Sequence, residues 1–298
     1  MRWDKRAKYA LLQGVFTIGS RLVLCASPAG MRRVAAFFGG VAYRVLPRHR
    51  RIALNNLRQA FPGWSESELQ RTSRQVFFHL ALMAAELIHF KAQPQEQLFS
   101  AVSVRGNERL EDALSERRGI LFVSGHLGNF PLAAARLSHT LPRYAGLMKR
   151  MRDPEMERRL SAMRRKMGVG GIMVGDSGVN TVKACLRHLR AGGILHVYID
   201  QRFPEGVKVN FFGRPCLAPV LPAFLAQRSG ALIVPVSTWR QDNSHHCVEI
   251  GQPVTPAWGQ SQEWDLQKVM QTVTSALENT IRAHPEQWFW VHQRWKMD

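Results

Sequence analysis

From Val102 onward the chain alternates short, apolar, β-rich runs with stretches of helical periodicity, and this alternation constrains the fold more than any other feature. Strands are expected near 119–124, 144–148, 194–199, 208–212 and 231–237, and helices near 130–140, 154–167, 179–191 and 218–229. Strands separated by helices return to the same edge of a sheet, so the pattern predicts a mainly parallel mixed sheet flanked by helices, an α/β fold. Residues 1–95 read differently. They combine apolar periodicity with Arg and Leu, and Pro28, Pro47 and Pro62 punctuate them, which predicts helices. Ser65–Glu66–Ser67–Glu68 is a capping box opening a helix that runs to about Phe90, and a final helix is expected over 263–283. No linker or internal repeat separates the helical region 1–95 from the α/β core 96–298, so one continuous structural unit is expected.

Charge narrows the class of partner. The 298 residues carry a formal charge of +19, and self-repulsion of that size is normally kept only when an acidic partner offsets it. Residues 1–58 hold twelve Arg and Lys side chains against Asp4 alone, interleaved with apolar runs at 9–20, 22–31 and 34–43. That pattern suits an N-terminal helical membrane-associating layer lying in anionic headgroups; the alternative is a solvated basic face on ordinary core helices. Nucleic acid is not an expected partner, because aromatics do not interleave with the basic residues on any groove-sized element. The apolar runs fall short of the ~20 residues of a spanning helix. Arg21 near mid-depth would cost about 2–3 kcal/mol, so a monotopic anchor is expected. Ala26–Ser27–Pro28 is a poor cleavage site, and the N-terminus is read as retained. Cys25, Cys185, Cys216 and Cys247 form no metal or redox spacing, which suits a reduced cytosolic face. His245–His246–Cys247 are adjacent, and neighbours on a strand point to opposite faces, so no metal is expected.

One segment carries the chemistry. The apolar run Gly119–Ser124 is followed at once by Gly125–His126–Leu127–Gly128–Asn129–Phe130–Pro131, which reads as strand, tight turn and helix. Asn129 suits an N-cap and Pro131 the first helical turn. His126 thereby sits at the carboxyl end of a strand, the edge where open α/β sheets bind ligands.

These residues resemble the His-x4-Asp/Glu motif of the lysophospholipid acyltransferase superfamily, and in particular its branch of late lipid A acyltransferases. The resemblance covers nearly the whole chain. It includes Asn55–Asn56–Leu57, Ala60–Phe61–Pro62, Glu86, Asp153–Pro154, Arg164, Asp200–Gln201, Phe211–Phe212–Gly213, Ala226 through Pro235, and Trp290–Val291–His292–Gln293–Arg294–Trp295–Lys296. It implies transfer of a fatty acyl chain from an acyl carrier protein thioester, or less often acyl-CoA, to a hydroxyl of a lipid A precursor or related phosphorylated glycolipid. The setting implied is the cytoplasmic face of a bacterial inner membrane, with no metal or redox cofactor. His126 would be the general base, oriented by a carboxylate.

Pro131 stands where the family carries that acid. Asp200 ends the expected strand 194–199, so parallel neighbours would place it on the same edge as His126. It also matches a family position that coexists with the usual acid, so a substrate-binding role stays open. Asp176 and Glu86 are further alternatives, Glu86 also as a buried structural acid. Substrate contacts are expected from Asn129, Gln201 and the cations Lys149, Arg152, Arg164, Arg294 and Lys296, since guanidinium matches phosphate bidentately. A solvated helix face is the alternative for Arg158, Arg159, Arg164 and Arg165. Phe211, Phe212, Leu217, Val220, Leu221 and Phe224 either line an acyl groove or fill the core. Two other readings stay open: a lysophospholipid or other lipid acceptor, and a catalytically silent lipid-binding homologue.

Overall fold

The computed structural model describes residues 23–254 and 265–296, apart from 25, 91, 92, 152, 176 and 243. The apolar run 9–20, Arg152 and Asp176 therefore lie outside the described residues. Among the elements described over their full length, three helices come first: α1 (Pro28–Val45), α2 (Pro47–Ala60) and α3 (Glu66–Phe90). Each of the first two opens on a proline, whose missing N–H is unneeded in a first turn. At the start of α3 the capping box is formed in both directions: Glu68 N–H donates to Ser65 Oγ (3.3 Å) and Ser65 N–H to Glu68 Oε2 (2.7 Å). None of the described helices is long and apolar enough to cross a membrane.

The α/β part follows as α4 (Gln95–Ala101), β1 (Val102–Arg105), α5 (Asn107–Ser115), β2 (Ile120–Ser124), α6 (Phe130–Thr140), β3 (Tyr144–Lys149), α7 (Pro154–Lys166), β4 (Gly171–Val174), α8 (Gly178–Arg190), β5 (Ile194–Tyr198), β6 (Val207–Phe211), β7 (Arg214–Ala218), α9 (Leu221–Ser229), β8 (Leu232–Arg240), β9 (His246–Ile250) and α10 (Leu266–Ala283). Seven strands make one sheet in the order β1-β9-β8-β2-β5-β3-β4. Every neighbouring pair is parallel except β8–β9. The strand alternation of β2 divides the core. Ile120 and Phe122 face the layer holding Leu110, Leu132 and Leu137 of α5 and α6, while Leu121 and Val123 face Leu57, Phe77, Leu189, Leu225 and Val273.

Three strands of the main sheet escape the sequence reading for physical reasons, and so does β7 outside it. β1 and β4 are the two edges of the sheet and have only four residues each, β4 starting at an exposed glycine. β9 carries His246 and Glu249, which hide its apolar alternation. The run expected at 208–212 is not part of the main sheet. It is β6, paired antiparallel with β7 around Phe212 and Gly213, both at positive φ (54° and 69°), as a two-residue hairpin turn requires. Because β7 takes residues 214–218, the helix expected from 218 begins at Leu221.

Candidate active site

β2 and β5 pair in register from Ile120 with Ile194 to Ser124 with Tyr198, so the residues that follow leave the sheet side by side. This brings together His126 and Asp200. Asp200 Oδ1 lies 2.7 Å from His126 Nδ1. The second oxygen, Oδ2, accepts the main-chain N–H of His126 (2.6 Å) and the indole N–H of Trp288 (2.7 Å). Two fixed donors on Oδ2 leave Oδ1 aimed at the imidazole. The Asp200 side chain is only 2% exposed and that of His126 19%. Burial alone would raise the Asp200 pKa; the neighbouring His126 and the hydrogen bonds from His126 and Trp288 outweigh it and hold the carboxyl below its ordinary value. A carboxylate only accepts, so Nδ1 is the protonated nitrogen and Nε2 keeps its lone pair. The Gln201 side-chain nitrogen lies 3.5 Å from that Nε2. Phe130 packs edge-on to the imidazole at 4.7 Å between centroids, and Tyr198 at 4.8 Å and Phe289 at 6.2 Å lie tilted to it.

Glycine lets the turn that carries His126 fit closely at two places. A Cβ on Gly125 would meet Leu277 Cδ1 at 2.6 Å and Asp200 Oδ2 at 3.1 Å. Gly128 has φ +57° and its absent Cβ would sit 2.8 Å from the Cα of Trp239. Both glycines let the loop press against its neighbours, which fixes where the histidine emerges. Asn129 then caps α6, its Oδ1 accepting from Leu132 N–H (3.3 Å), while its Nδ2 donates to Glu86 Oε2 (2.8 Å). Pro131 falls in the first turn of α6 and touches neither partner of the histidine by hydrogen bond.

Behind Asn129 lies a buried ionic group. The guanidinium of Arg240 grips both carboxylate oxygens of Glu86, with Nη2 2.6 Å from Oε2, and His246 Nε2 is 3.5 Å away. Burial would raise the Glu86 pKa, but hydrogen bonds from His246 and Arg240 overcome it and hold the carboxyl at about 2. The group joins α3 to β8, β9 and the cap of α6, so it sets the seat of the helix that follows His126. Glu86→Gln keeps the volume but leaves Arg240 as an unpaired buried cation, and a loss of about 3–5 kcal/mol in urea unfolding is expected. A change below about 1 kcal/mol would show that the pair does not hold this seat.

A second histidine near the sheet edge is no candidate base. Ser124 Oγ donates to the Val236 carbonyl (2.7 Å) and so accepts from His196 Nε2 (2.7 Å), leaving His196 Nδ1 to accept from Tyr144 Oη (2.6 Å). Burial pushes His196 down to about 3, so it stays neutral.

The remaining site residues of the sequence reading are spread out. Lys149 is exposed at the carboxyl end of β3, on the same edge as His126 and two strands away, roughly 10 Å at the usual strand spacing. Arg164 sits in the last turn of α7 with Nη1 3.7 Å from Glu157, and no described contact joins it to His126. Arg294 is buried over the Phe211 ring; its Nη1 donates to the carbonyls of Gln201 (3.2 Å) and Leu217 (2.5 Å). Lys296 is exposed. The 285–296 segment crosses the carboxyl edge of the sheet. Gly128 N–H donates to the Gln287 carbonyl and Phe289 N–H to that of His126, while Asn56 of α2 binds the carbonyls of Trp290 (2.7 Å) and His292 (2.6 Å). Sequence reasoning missed Trp288, Phe289 and Tyr198 as the walls of the histidine. Their aromatic character was visible; which strand end they cover was not.

A buried aspartate behind a histidine, at the carboxyl edge of a parallel sheet, is an arrangement that can perform general-base chemistry in an α/β protein. The bacterial lipid A biosynthesis acyltransferase family matches residues 6–297, and the chain belongs to that family. Among relatives, a phosphatidylinositol mannoside acyltransferase of Mycobacterium tuberculosis is 24% identical over 196 residues, 65% of this chain and 60% of that protein's length. The lipid A biosynthesis acyltransferase 2 of Shigella flexneri is 23% identical over 261 residues, covering 87% of this chain and 81% of the relative. The lipid A biosynthesis lauroyltransferase of Escherichia coli strain K12 is 22% identical over 269 residues, 89% and 84% of the two chains.

Proposed function

We propose that the protein transfers a fatty acyl chain from a thioester, carried by an acyl carrier protein, to a hydroxyl of a phosphorylated glycolipid of the lipid A precursor kind. The observation that carries this reading is the 2.7 Å contact between His126 Nδ1 and Asp200, which leaves Nε2 as a base. In the reaction, Nε2 takes the acceptor's hydroxyl proton as its oxygen attacks the thioester carbonyl. Asp200 stabilises the imidazolium that results. Collapse of the tetrahedral intermediate expels the thiolate, which takes the proton back from Nε2. The Gln201 amide is near enough to Nε2 to donate a hydrogen bond to the incoming oxygen. These steps call on no metal or redox cofactor.

Membership of the lipid A acyltransferase family and the phosphatidylinositol mannoside relative both support a glycolipid acceptor. The net charge of +19 supports acidic partners: the donor's carrier protein, the acceptor's phosphates and an anionic membrane surface at the cytoplasmic face of a bacterial inner membrane. Lys149 and Gln201, on the His126 edge, are the proposed acceptor contacts, with Arg164 and Lys296 reaching phosphate from farther out; Arg152 is proposed as a phosphate contact from its place in the sequence. The same edge holds Asn129 and Arg294 as residues that shape the site from within.

The test is acyl transfer by purified protein with acyl carrier protein and acyl-CoA donors, offered a phosphorylated glycolipid, its dephosphorylated form and a lysophospholipid. Product is expected with the carrier-protein donor and the phosphorylated glycolipid. Product from the lysophospholipid alone would reassign the acceptor. Acyl-lipid binding without any product would make the protein a silent lipid binder.

A further inference from the structure

We propose that the groove between α1 and α3, flanked by α2, binds the phosphate headgroup of an anionic phospholipid in the membrane that carries the protein. This rests on the membrane-surface reading above and gives it a particular site. Two adjoining depressions run along α1. One, of about 630 Å³, is lined by Tyr43, Arg44, Arg50, Arg74 and Gln75; the other, of about 680 Å³, by Arg32 and Arg33. They share Ala36 and Phe78, so together they form one trough. Among the described residues no carboxylate lines either part.

The cations are arranged rather than merely numerous. Arg50 and Arg74 stand over the same Tyr43 ring, at 5.3 and 5.7 Å from its centroid, and Arg32 stands over Phe78 at 5.2 Å. Resting on a ring restricts a guanidinium without using its N–H edge, which stays available to an oxyanion. Holding three like charges around one depression costs energy that an anionic ligand would recover.

The exposed side of α1 indicates what kind of anion comes. Met31, Ala35 and Gly39 are buried on its inner side. Phe37, Val41 and Val45 recur every fourth residue on the outer side and are 66%, 38% and 64% exposed. Ala36 and Gly40 line the trough, one residue and so about 100° of helix rotation from that stripe. With the stripe in hydrocarbon, the trough lies sideways at the depth of the phosphates. An acidic protein would match the charge; a bilayer matches the charge and the apolar stripe together.

The experiment is co-sedimentation of the full chain with vesicles of phosphatidylcholine, alone or mixed with phosphatidic acid. R44Q/R50Q/R74Q is compared with K183Q/R187Q/R190Q, three exposed cations of α8, so the charge change is the same. The trough triple is expected to lose about a hundredfold in affinity for the phosphatidic acid vesicles, and the α8 triple less than about threefold. Equal losses overturn the site, because net charge would then suffice. R44K/R50K/R74K keeps the charge without the planar donors and covers the case of a misfolded glutamine triple; it is expected to lose about tenfold, and wild-type affinity overturns the proposal. Weakened binding of acyl carrier protein in vesicle-free solution, with vesicle affinity unchanged, overturns it in favour of an acidic protein dock. The readout needs no turnover. The same pattern from a protein that acylates no acceptor would keep the headgroup site and discard the acyltransferase reading.

Discussion

Alanine in place of His126 is expected to lower kcat for acyl transfer by roughly 10²–10⁴-fold, the usual worth of a positioned general base. The loss follows from Nε2: with Nδ1 committed to Asp200, it is the nitrogen left to accept the substrate proton. The fold should survive. The side chain is partly exposed, and the turn around it is held by main-chain bonds, Leu127 N–H to Gly125 and Gly128 N–H to Gln287. KM should change little, since the imidazole acts on the reacting hydrogen rather than on the body of the lipid. Steady-state kinetics together with a thermal midpoint separate the two effects, and an unchanged kcat would remove His126 from the mechanism.

Asp200→Asn is expected to cost about 10³–10⁴ in kcat by a different route, the imposition of the wrong histidine tautomer. The asparagine carbonyl oxygen can take the place of Oδ2 and keep the N–H groups of His126 and Trp288 satisfied. Its amide nitrogen then replaces Oδ1 and donates to Nδ1, which drives the imidazole proton onto Nε2. The base is intact and blocked. Because the native carboxyl is held below its ordinary value, the aspartate is charged throughout the neutral range, and the defect should persist across it. Asp200→Ala additionally strands two buried donors and should unfold more readily, by about 1–3 kcal/mol for each. A loss of less than tenfold in the asparagine variant, with normal stability, would show that the histidine needs no orienting acid.

The expectation of an α/β fold with a mainly parallel sheet rested on local alternation, and the central strands β2, β3, β5 and β8 are where that alternation is strongest. Edge strands β1 and β4 bury less and are shorter, so their pattern never rises above that of a loop. At the site, the legible part is contiguous: Gly125, His126, Gly128 and the Asn129 cap follow one another. Placing Asp200 beside His126 needs one further fact, that β2 and β5 are neighbours, which no periodicity reports. The Glu86–Arg240 pair is separated by 154 residues and the Asp200–Trp288 bond by 88, and pairings at such range leave no trace in spacing. Arg294 shows the same limit. An arginine looks like a surface cation until the carbonyls of Gln201 and Leu217 are known to converge on it.

The crossing of the sheet edge by residues 285–296 has a consequence for the nascent chain. Asp200 leaves the ribosome 88 residues ahead of the indole that shares its carboxylate, and the histidine earlier still. Until that aromatic segment docks, the aspartate has its bonds to His126 but lacks the third, at an unroofed edge, free to hydrate. Acyl transfer by the site proposed above would then wait on the docking of Trp288 and not on completion of the sheet alone.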